Sequence, residues 1–497
     1  MPRRRGGDVR PTRSGAPARW LLAVAAVVVA ALAYGGTIWI RRTTAVARLP
    51  ALPELAGQPA SVGAHLREKL STAQQDPVSP DAVAALCLAY HADLFYEQAE
   101  RCYAWLAELS PSEWRWTYYR ALLQSERGGG DALAARLRQV LAIAPGFGPA
   151  WLRLGDAEFK EGHPDRAEEA WNRAVTTQEP PRAAETPPHA ADAPVAAYAS
   201  LGLARIALAR GDAEQARQIL ERTTVQAPRF GSAFRLLAES YIAIGRSGDA
   251  GGATSRANHL PPYAPYADPM VDALARESRN STFLLRQASE ADLRVNAPWI
   301  EYLIRRALEF DPGNPDVVGR LARMLRTVGR SGEALDLFAR YNRMVPDDFQ
   351  ALGQIGSCLS DLGRFDEAEP FLRRAHQQLD DALTHYNLGA LLSATGRLDE
   401  AVVEYQHALN RDPSDPDARS NLAAVLVKQG KLGRATEELT RVLEIDPENA
   451  NAHTNLGLVL AQQGHLERAA GEFQTALRLN PGLTQAAEAL RQLGIRN

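Results

Sequence analysis

Residues 382–415 read ALTHYNLGALLSATGRLDEAVVEYQHALNRDPSD, and this stretch decides the fold of the chain. Apolar and small residues follow helical spacing until Gly396 interrupts them, and the helical pattern then resumes until Pro413. Because a helix cannot continue through Pro413, the stretch predicts two antiparallel helices joined by a tight turn. Gly389 and Ala401 are small, which allows the two helices to cross closely.

The same pattern returns along most of the chain with a period of about 34 residues. In seven repeats a glycine precedes an alanine by five positions: Gly211 and Ala216, Gly245 and Ala250, Gly329 and Ala334, Gly363 and Ala368, Gly396 and Ala401, Gly430 and Ala435, Gly464 and Ala469. Such a period indicates an α-solenoid, in which each helix hairpin packs only on its neighbours. The sequence therefore predicts an all-α fold of ten hairpins and a degenerate eleventh, which has Val295 and Ile300 where small residues are expected.

The repeat positions resemble those of the tetratricopeptide repeat. In residues 382–415 they are Leu388, Gly389 and Leu392 in the first helix, then Ala401, Tyr405, Ala408 and Pro413. The same register starts again at Pro416 and at Ala450. The resemblance implies that the first helices line the concave face of the solenoid and that this face binds peptide segments of partner proteins.

A row of amide side chains falls on this expected face. Asn387, Asn421 and Asn455 stand 34 residues apart, and Gln354 holds the equivalent place one repeat earlier. An amide offers both a donor and an acceptor, which suits an extended peptide backbone of any sequence. The row resembles the asparagine ladder of O-linked N-acetylglucosamine transferase, which implies peptide binding at these four residues. The alternative is that each amide bonds to its neighbouring repeat and stiffens the stack. Only about fourteen residues follow the last repeat, so we expect no transferase domain.

The N-terminal region carries a candidate membrane segment. Residues 20–40 hold no charge and would reach about 30 Å as a helix, enough to cross a bilayer core. Six arginines precede this run, which favours a cytoplasmic N-terminus and an extracytoplasmic body. A cleavable signal peptide ending near Ala33 is the alternative. We expect a single-pass protein of the inner (plasma) membrane whose repeats lie in the periplasm.

These patterns divide the chain into nine segments. They are a basic cytoplasmic tail (1–19), a transmembrane helix (20–40), a Pro-rich linker with a short helix (41–79), a first repeat array (80–179), a Pro/Ala-rich insertion (180–195), a second array (196–263), an insertion with the degenerate repeat (264–314), a third array (315–483) and a capping helix (484–497). The Pro-rich linker is expected to act as a stalk between the membrane and the repeats.

Charge and cysteine content narrow the classes of function. The net charge is −3, and because residues 1–42 carry eight arginines against one aspartate, the rest of the chain is acidic, which argues against nucleic-acid binding. None of Cys87, Cys102 and Cys358 forms a CxxC motif, and we expect all three to pack as small apolar residues, a bridge between the first two being the alternative. The histidines show no i,i+4 pair, so no metal site is predicted.

The expected function is therefore that of a non-enzymatic scaffold without a cofactor. No nucleophile, acid–base pair or phosphate-binding loop stands in a recognisable pattern. We expect a membrane-anchored protein that binds peptide segments of partner proteins and organises an envelope complex. The alternative is an accessory factor in envelope biogenesis, such as cytochrome c maturation or polysaccharide export. The sequence gives no indication of the oligomeric state.

Overall fold

A computed structural model of the chain describes residues 16–177, 193–258, 260, 266, 268–291 and 293–494. Over these residues the chain forms 26 α-helices and no strand, which confirms the predicted all-α fold. The described residues fall into two compact units: residues 16–177, 193–244 and 266–283 form unit 1, and residues 245–260 and 284–494 form unit 2.

Unit 1 holds four complete helix pairs, α3 to α10, among its described residues. Its helices are α1 (Ala16–Arg48), α2 (Ala60–Gln75), α3 (Pro80–Ala92), α4 (Tyr96–Leu109), α5 (Trp114–Glu126), α6 (Asp131–Ile143), α7 (Gly148–Lys160), α8 (Pro164–Thr176), α9 (Val195–Ala209), α10 (Ala213–Gln226), α11 (Gly231–Ala243) and α13 (Pro269–Glu277). The chain passes from this unit into the other within α14 (Ser281–Glu290). Most of the Pro/Ala-rich insertion lies outside the described residues.

Unit 2 holds five complete helix pairs, α16 to α25, in the part of the chain that the structure describes. Its helices are α12 (Ser247–Asn258), α15 (Leu293–Phe310), α16 (Pro315–Thr327), α17 (Ser331–Met344), α18 (Phe349–Asp361), α19 (Phe365–Gln378), α20 (Ala382–Ala394), α21 (Leu398–Arg411), α22 (Pro416–Lys428), α23 (Leu432–Ile445), α24 (Ala450–Gln462), α25 (Leu466–Leu479) and α26 (Thr484–Gln492). Helix α15 is kinked at Asn296, two residues before Pro298, because proline removes a helical hydrogen bond.

The small residues of the repeat act as the sequence predicts. A Cβ atom on Gly389 would lie 3.1 Å from the ring of Tyr405, so the glycine allows the aromatic side chain of the second helix to pack against the first. Gly396 adopts a φ of +80° in the turn between the helices, a conformation that L side chains rarely adopt. Asp415 caps the following helix by accepting hydrogen bonds from the backbone of its first turn.

The segment that follows the apolar run packs on the first repeat, which differs from the expected stalk. Ala45 is buried, and the hydroxyl of Tyr90 donates a hydrogen bond to the carbonyl of Pro50 at 3.2 Å. Arg48 pairs with Glu108 at 2.6 Å. Helix α2 buries an apolar stripe against α3, since its leucines and valine follow helical spacing. Burial of these apolar side chains outweighs the tendency of the prolines to extend the chain.

Two of the three cysteines are bonded, contrary to the expectation that all three pack as free thiols. Cys87 of α3 and Cys102 of α4 form a disulfide with a Cα–Cα distance of 5.2 Å. Both cysteines are buried where α3 packs against α4. Cys87 takes the position at which other repeats place a small residue against the second helix, and this brings the two sulfur atoms together. Cys358 is free and buried, as predicted.

Candidate functional site

The four predicted amides occupy one position of the repeat, the sixth residue of a first helix. Gln354 stands there in α18, and Asn387, Asn421 and Asn455 stand there in α20, α22 and α24. Because consecutive first helices lie side by side in unit 2, equal positions fall in one row along it.

The amides differ in what they contact. Gln354 accepts a hydrogen bond from Arg326 at 3.1 Å, and Asn421 donates one to the hydroxyl of Tyr386 at 3.0 Å. Both partners belong to the first helix of the preceding repeat, so these two amides already link neighbouring repeats. Asn387 is buried, with 7% of its surface accessible, whereas Asn455 is exposed to solvent. Two of the four amides thus join neighbouring repeats, and peptide binding by the row stays a prediction.

Asn455 borders a cavity on the face of unit 2. The cavity measures about 280 Å³ and lies between α22 and α24, with Leu439 of α23 at its base. Its lining is mostly apolar with a few amide and hydroxyl groups, from Ser420, Ala423, Ala424, Val427, Lys428, Leu439, Asn455, Leu458, Val459 and Gln462. Apolar walls with a few polar groups are what a bound side chain needs.

In unit 1 the sixth residue of one first helix contacts another segment of the same chain. Arg153 is the sixth residue of the first helix α7, and its guanidinium contacts the carboxylate of Asp268 at 3.0 Å. The hydroxyl of Tyr118, on the first helix α5, donates a hydrogen bond to the same carboxylate at 2.6 Å. The side chain of Asp268 is 2% exposed. Residues of the predicted insertion therefore lie across the first helices of unit 1.

Aromatic contacts extend this attachment. The ring of Tyr266 lies 5.8 Å from the ring of Tyr198 on α9, and the guanidinium of Arg153 lies over it at 5.4 Å. Burial raises the pKa of Tyr118 and of Tyr266, so both hydroxyls stay protonated at neutral pH. The Tyr118 hydroxyl can thus act only as a donor toward the carboxylate.

The far end of the segment is held by a buried polar cluster. Glu277, at the end of α13, accepts hydrogen bonds from His65 at 2.9 Å and pairs with Lys69 at 2.9 Å. Asp93 contacts the other ring nitrogen of His65 at 3.2 Å and accepts a hydrogen bond from the backbone of Arg279 at 2.8 Å. Burial alone would lower the pKa of His65, but the bonds to Asp93 and Glu277 raise it above 6.5.

These contacts correct one expectation. The sequence predicts a face of first helices that is free for partners, but in unit 1 the segment 266–283 covers the first helices α3, α5 and α7. The physical reason is charge and aromatic complementarity between Asp268, Tyr266 and the side chains of those helices. The predicted amides belong to unit 2 and take no part in these contacts.

Helix packing also gathers one group of potential metal ligands that the spacing of histidines in the sequence does not indicate. His376, His385 and Glu404 come from three different helices of unit 2, and their ligand-capable atoms all lie within 4.8 Å of one another. Helix packing brings them together although no two are four residues apart. No ligand set of this kind is otherwise found among the described residues.

Stacked helix hairpins with a repeating first-helix face define the class of this protein as an α-solenoid repeat protein. Family models of the tetratricopeptide repeat match residues 152–229, 201–265 and 320–382, a TPR repeat model matches residues 389–430 and 425–464, and a further tetratricopeptide repeat model matches residues 450–483. Together these matches cover more than half of the chain. The chain belongs to the tetratricopeptide repeat family, as its sequence predicts.

Solved structures with similar folds include several repeat proteins. YrrB, described as a TPR protein with an unusual peptide-binding site, is 22% identical and has a TM-score of 0.31, with 38% of this chain and 97% of that chain covered. Yeast Tom70 is 15% identical with a TM-score of 0.35, covering 83% and 95%. The Cut9–Hcn1 hetero-tetramer of the APC/C is 14% identical with a TM-score of 0.41, covering 87% and 95%. No curated protein matches the sequence. Similarity at this level carries no information about partners.

No local sequence pattern identifies the residues that bind the segment 266–283. Tyr118 and Arg153 are separated from Asp268 by more than one hundred residues, so no local pattern connects them. One signal was present, since Tyr266-Ala-Asp268-Pro269 places an aromatic ring and a helix-capping carboxylate in a stretch that breaks the repeat register. The cluster of His65, Asp93 and Glu277 gave no such signal.

Proposed function

We propose that this protein is a membrane-anchored scaffold whose repeats bind extended peptide segments of partner proteins outside the cytoplasm. The observation that carries the proposal is the contact between Arg153 and Asp268. A side chain at the sixth position of a first helix holds a segment that lies across the repeats. The same position in unit 2 carries the amides, and we infer that they serve a segment supplied by a partner.

The chemistry of the amide row indicates what such a segment offers. Each amide provides one acceptor and two donors, so it recognises backbone groups rather than a particular side chain. Each hydrogen bond contributes about 1 kcal/mol net, so the roughly 8 kcal/mol of micromolar binding requires apolar contacts along several repeats in addition to the amides. The apolar cavity beside Asn455 would add selectivity for one side chain of the segment.

Two features support the proposed membrane anchor. Helix α1 is long and apolar enough to cross a membrane, although a signal sequence has the same properties. Its apolar side chains are not covered by the rest of the chain, for example Leu32, which is 71% exposed. Exposed apolar side chains over the length of a bilayer are best satisfied by lipid.

The disulfide supports the extracytoplasmic placement of the repeats. Cys87 and Cys102 form a disulfide. Disulfides persist in oxidising compartments and are rare where thiols are kept reduced. The excess of arginines before the apolar run favours the same orientation. We infer a periplasmic repeat body and a role in organising an envelope complex.

The test combines partner recovery with stability. Asn421 and Asn455 are replaced together by alanine in the full chain, and partners are recovered from native membranes after crosslinking. Asn410→Ala is the matched control, because Asn410 is an exposed amide on the second helix α21. Loss of partners in the double variant alone, with no more than the small fall in melting temperature expected from losing the bond between Asn421 and Tyr386, supports the proposal. Retained partners with reduced melting would show that the amides only stiffen the stack.

A further inference from the structure

We propose that His376, His385 and Glu404 form a binding site for a divalent transition-metal ion, with Zn²⁺ as the reference ion. His376 lies near the end of α19, His385 in the first turn of α20 and Glu404 in α21. The two imidazole rings stand 4.6 Å apart at 70° to each other. A metal here would join two successive repeats, since α19 belongs to one and α20 and α21 to the next.

Part of this arrangement is a general feature of the repeats. The Nδ1 atom of His385 lies 2.7 Å from a carboxylate oxygen of Glu404. Equivalent pairs occur in the next two repeats, Arg419 with Glu438 at 2.8 Å and His453 with Glu472 at 2.6 Å. The pair alone is therefore a structural bond between the two helices of a hairpin, and it does not define a metal site.

His376 makes this repeat different. It is the twelfth residue of its second helix, and the same position holds Leu409 in α21 and Leu443 in α23. Its Nδ1 atom is buried and has no hydrogen-bond partner among the described residues. A buried polar atom without a partner is unfavourable, so an imidazole where the neighbouring repeats use leucine needs a compensating contact. A metal ion bound by that ring would provide it.

The chemistry of the three groups suits Zn²⁺. Two imidazoles and one carboxylate are a known ligand set for this ion, with a water molecule in the fourth position. Asp380 lies 2.9 Å from Nε2 of His385 and also pairs with Arg411, so it can orient the ring as outer carboxylates do in metal sites. The ring of His407 stacks on His385 at 5.1 Å and limits its rotation.

Binding requires a small local adjustment. Zn²⁺ would replace the proton between Nδ1 of His385 and the oxygen of Glu404, and that proton would leave to solvent. Two ligand atoms of a tetrahedral zinc stand roughly 3.3 Å apart, so the 2.7 Å pair must open by about half an ångström, and pairs that stand up to 4.8 Å apart must close by up to about 1.5 Å. Rotations of the His376 and Glu404 side chains would make these changes, since both residues are only partly buried.

The test uses substitutions that the chain itself contains at equivalent positions. His376→Leu introduces the residue found in the next two repeats, and His385→Arg reproduces the Arg419–Glu438 pair, so both variants should fold. His453→Arg is the matched control, because its repeat has the same pair without a second imidazole. The full chain in detergent is treated with chelator and titrated with Zn²⁺ by calorimetry and by thermal unfolding.

We expect one equivalent of Zn²⁺ to bind to this site and to raise the melting temperature. His376→Leu and His385→Arg should each weaken this binding about 100-fold or more, since loss of an outer-shell group alone costs up to that factor. His453→Arg should leave it unchanged. Absence of stoichiometric binding in the natural chain, or equal binding by all three variants, would overturn the proposal. The outcome is independent of the peptide-binding proposal, which concerns other residues.

Discussion

The contact between Asp268 and the first helices of unit 1 gives the sharpest prediction about stability. The variant Asp268→Ala removes the carboxylate, and with it the hydrogen bond from Tyr118 at 2.6 Å and the ion pair with Arg153 at 3.0 Å. It also loses the capping bond from the backbone of Met270, at the start of α13. The segment 266–283 should then detach more often from the helices that it covers.

The size of the effect follows from burial. Removing one partner of a buried ion pair costs about 3–5 kcal/mol, and removing a helix cap costs about 1 kcal/mol. The side chain of Arg153 is 24% exposed, so water reaches part of the stranded guanidinium and the lower end of the range applies. The ion pair and the cap together should cost about 4 kcal/mol, which corresponds to a roughly 1000-fold increase in the population of the detached segment.

Hydrogen exchange measures this quantity directly. Backbone amides of α13 should exchange roughly 1000-fold faster in Asp268→Ala than in the natural chain, while amides of the repeats in unit 2 keep their rates. The control is Glu367→Ala, which breaks an exposed pair with Arg364 and should change rates less than about threefold. Unchanged exchange in α13 would show that Asp268 does not hold the segment and would refute the reasoning.

Three further predictions concern pH, the disulfide and the repeat glycines. The raised pKa of His65 contributes stability that is full below pH 6.5 and is lost as the pH rises through its folded value, whereas the lowered pKa of Glu277 contributes stability above pH 4.5 that is lost on acidification. The opening free energy of α13, measured by exchange corrected for intrinsic rates, should therefore be largest between these values, and His65→Gln should remove its decline at higher pH. Cys102→Ala should cost about 3 kcal/mol at the first repeat, because the bond closes a loop of 15 residues, and a reducing agent should destabilise only the natural chain. Gly457→Ala should lower the melting temperature of unit 2, since a Cβ would stand 2.6 Å from a buried aromatic ring. Gly471→Ala has open space around it and a helical backbone, so it should raise the free energy of unfolding by up to about 1 kcal/mol and raise the melting temperature.

The repeat architecture could be predicted from the sequence because each hairpin is local. Gly389 and Tyr405 are close in the chain, and the same relation recurs every repeat, so one pattern is read many times. The helix caps at Asp415 and Asn449 are local in the same way, since each side chain accepts hydrogen bonds from the first turn of the helix that follows it. Positions of the predicted amides on the first helices followed from that register.

The contacts that cover the first helices of unit 1 could not be predicted from the sequence. Asp268 meets Arg153 only because the segment after the second array folds back over unit 1, and no residue spacing records such a return. The disulfide between Cys87 and Cys102 is only the alternative interpretation of the sequence, since an odd and sparse cysteine count gives little evidence for pairing. His376 meets His385 and Glu404 through packing of three helices, and spacing rules for metal ligands do not cover that case.

The central claim is that the first-helix face of unit 2 receives a peptide segment of a partner. Site-specific photocrosslinking in native membranes tests it most directly, with the reactive group placed at Asn455, beside the cavity, or at Asn410, on a second helix. We expect discrete protein adducts from position 455, reduced by the Asn421→Ala change, and none from position 410. Equal adducts at both positions, or none at 455 in intact membranes, would contradict it.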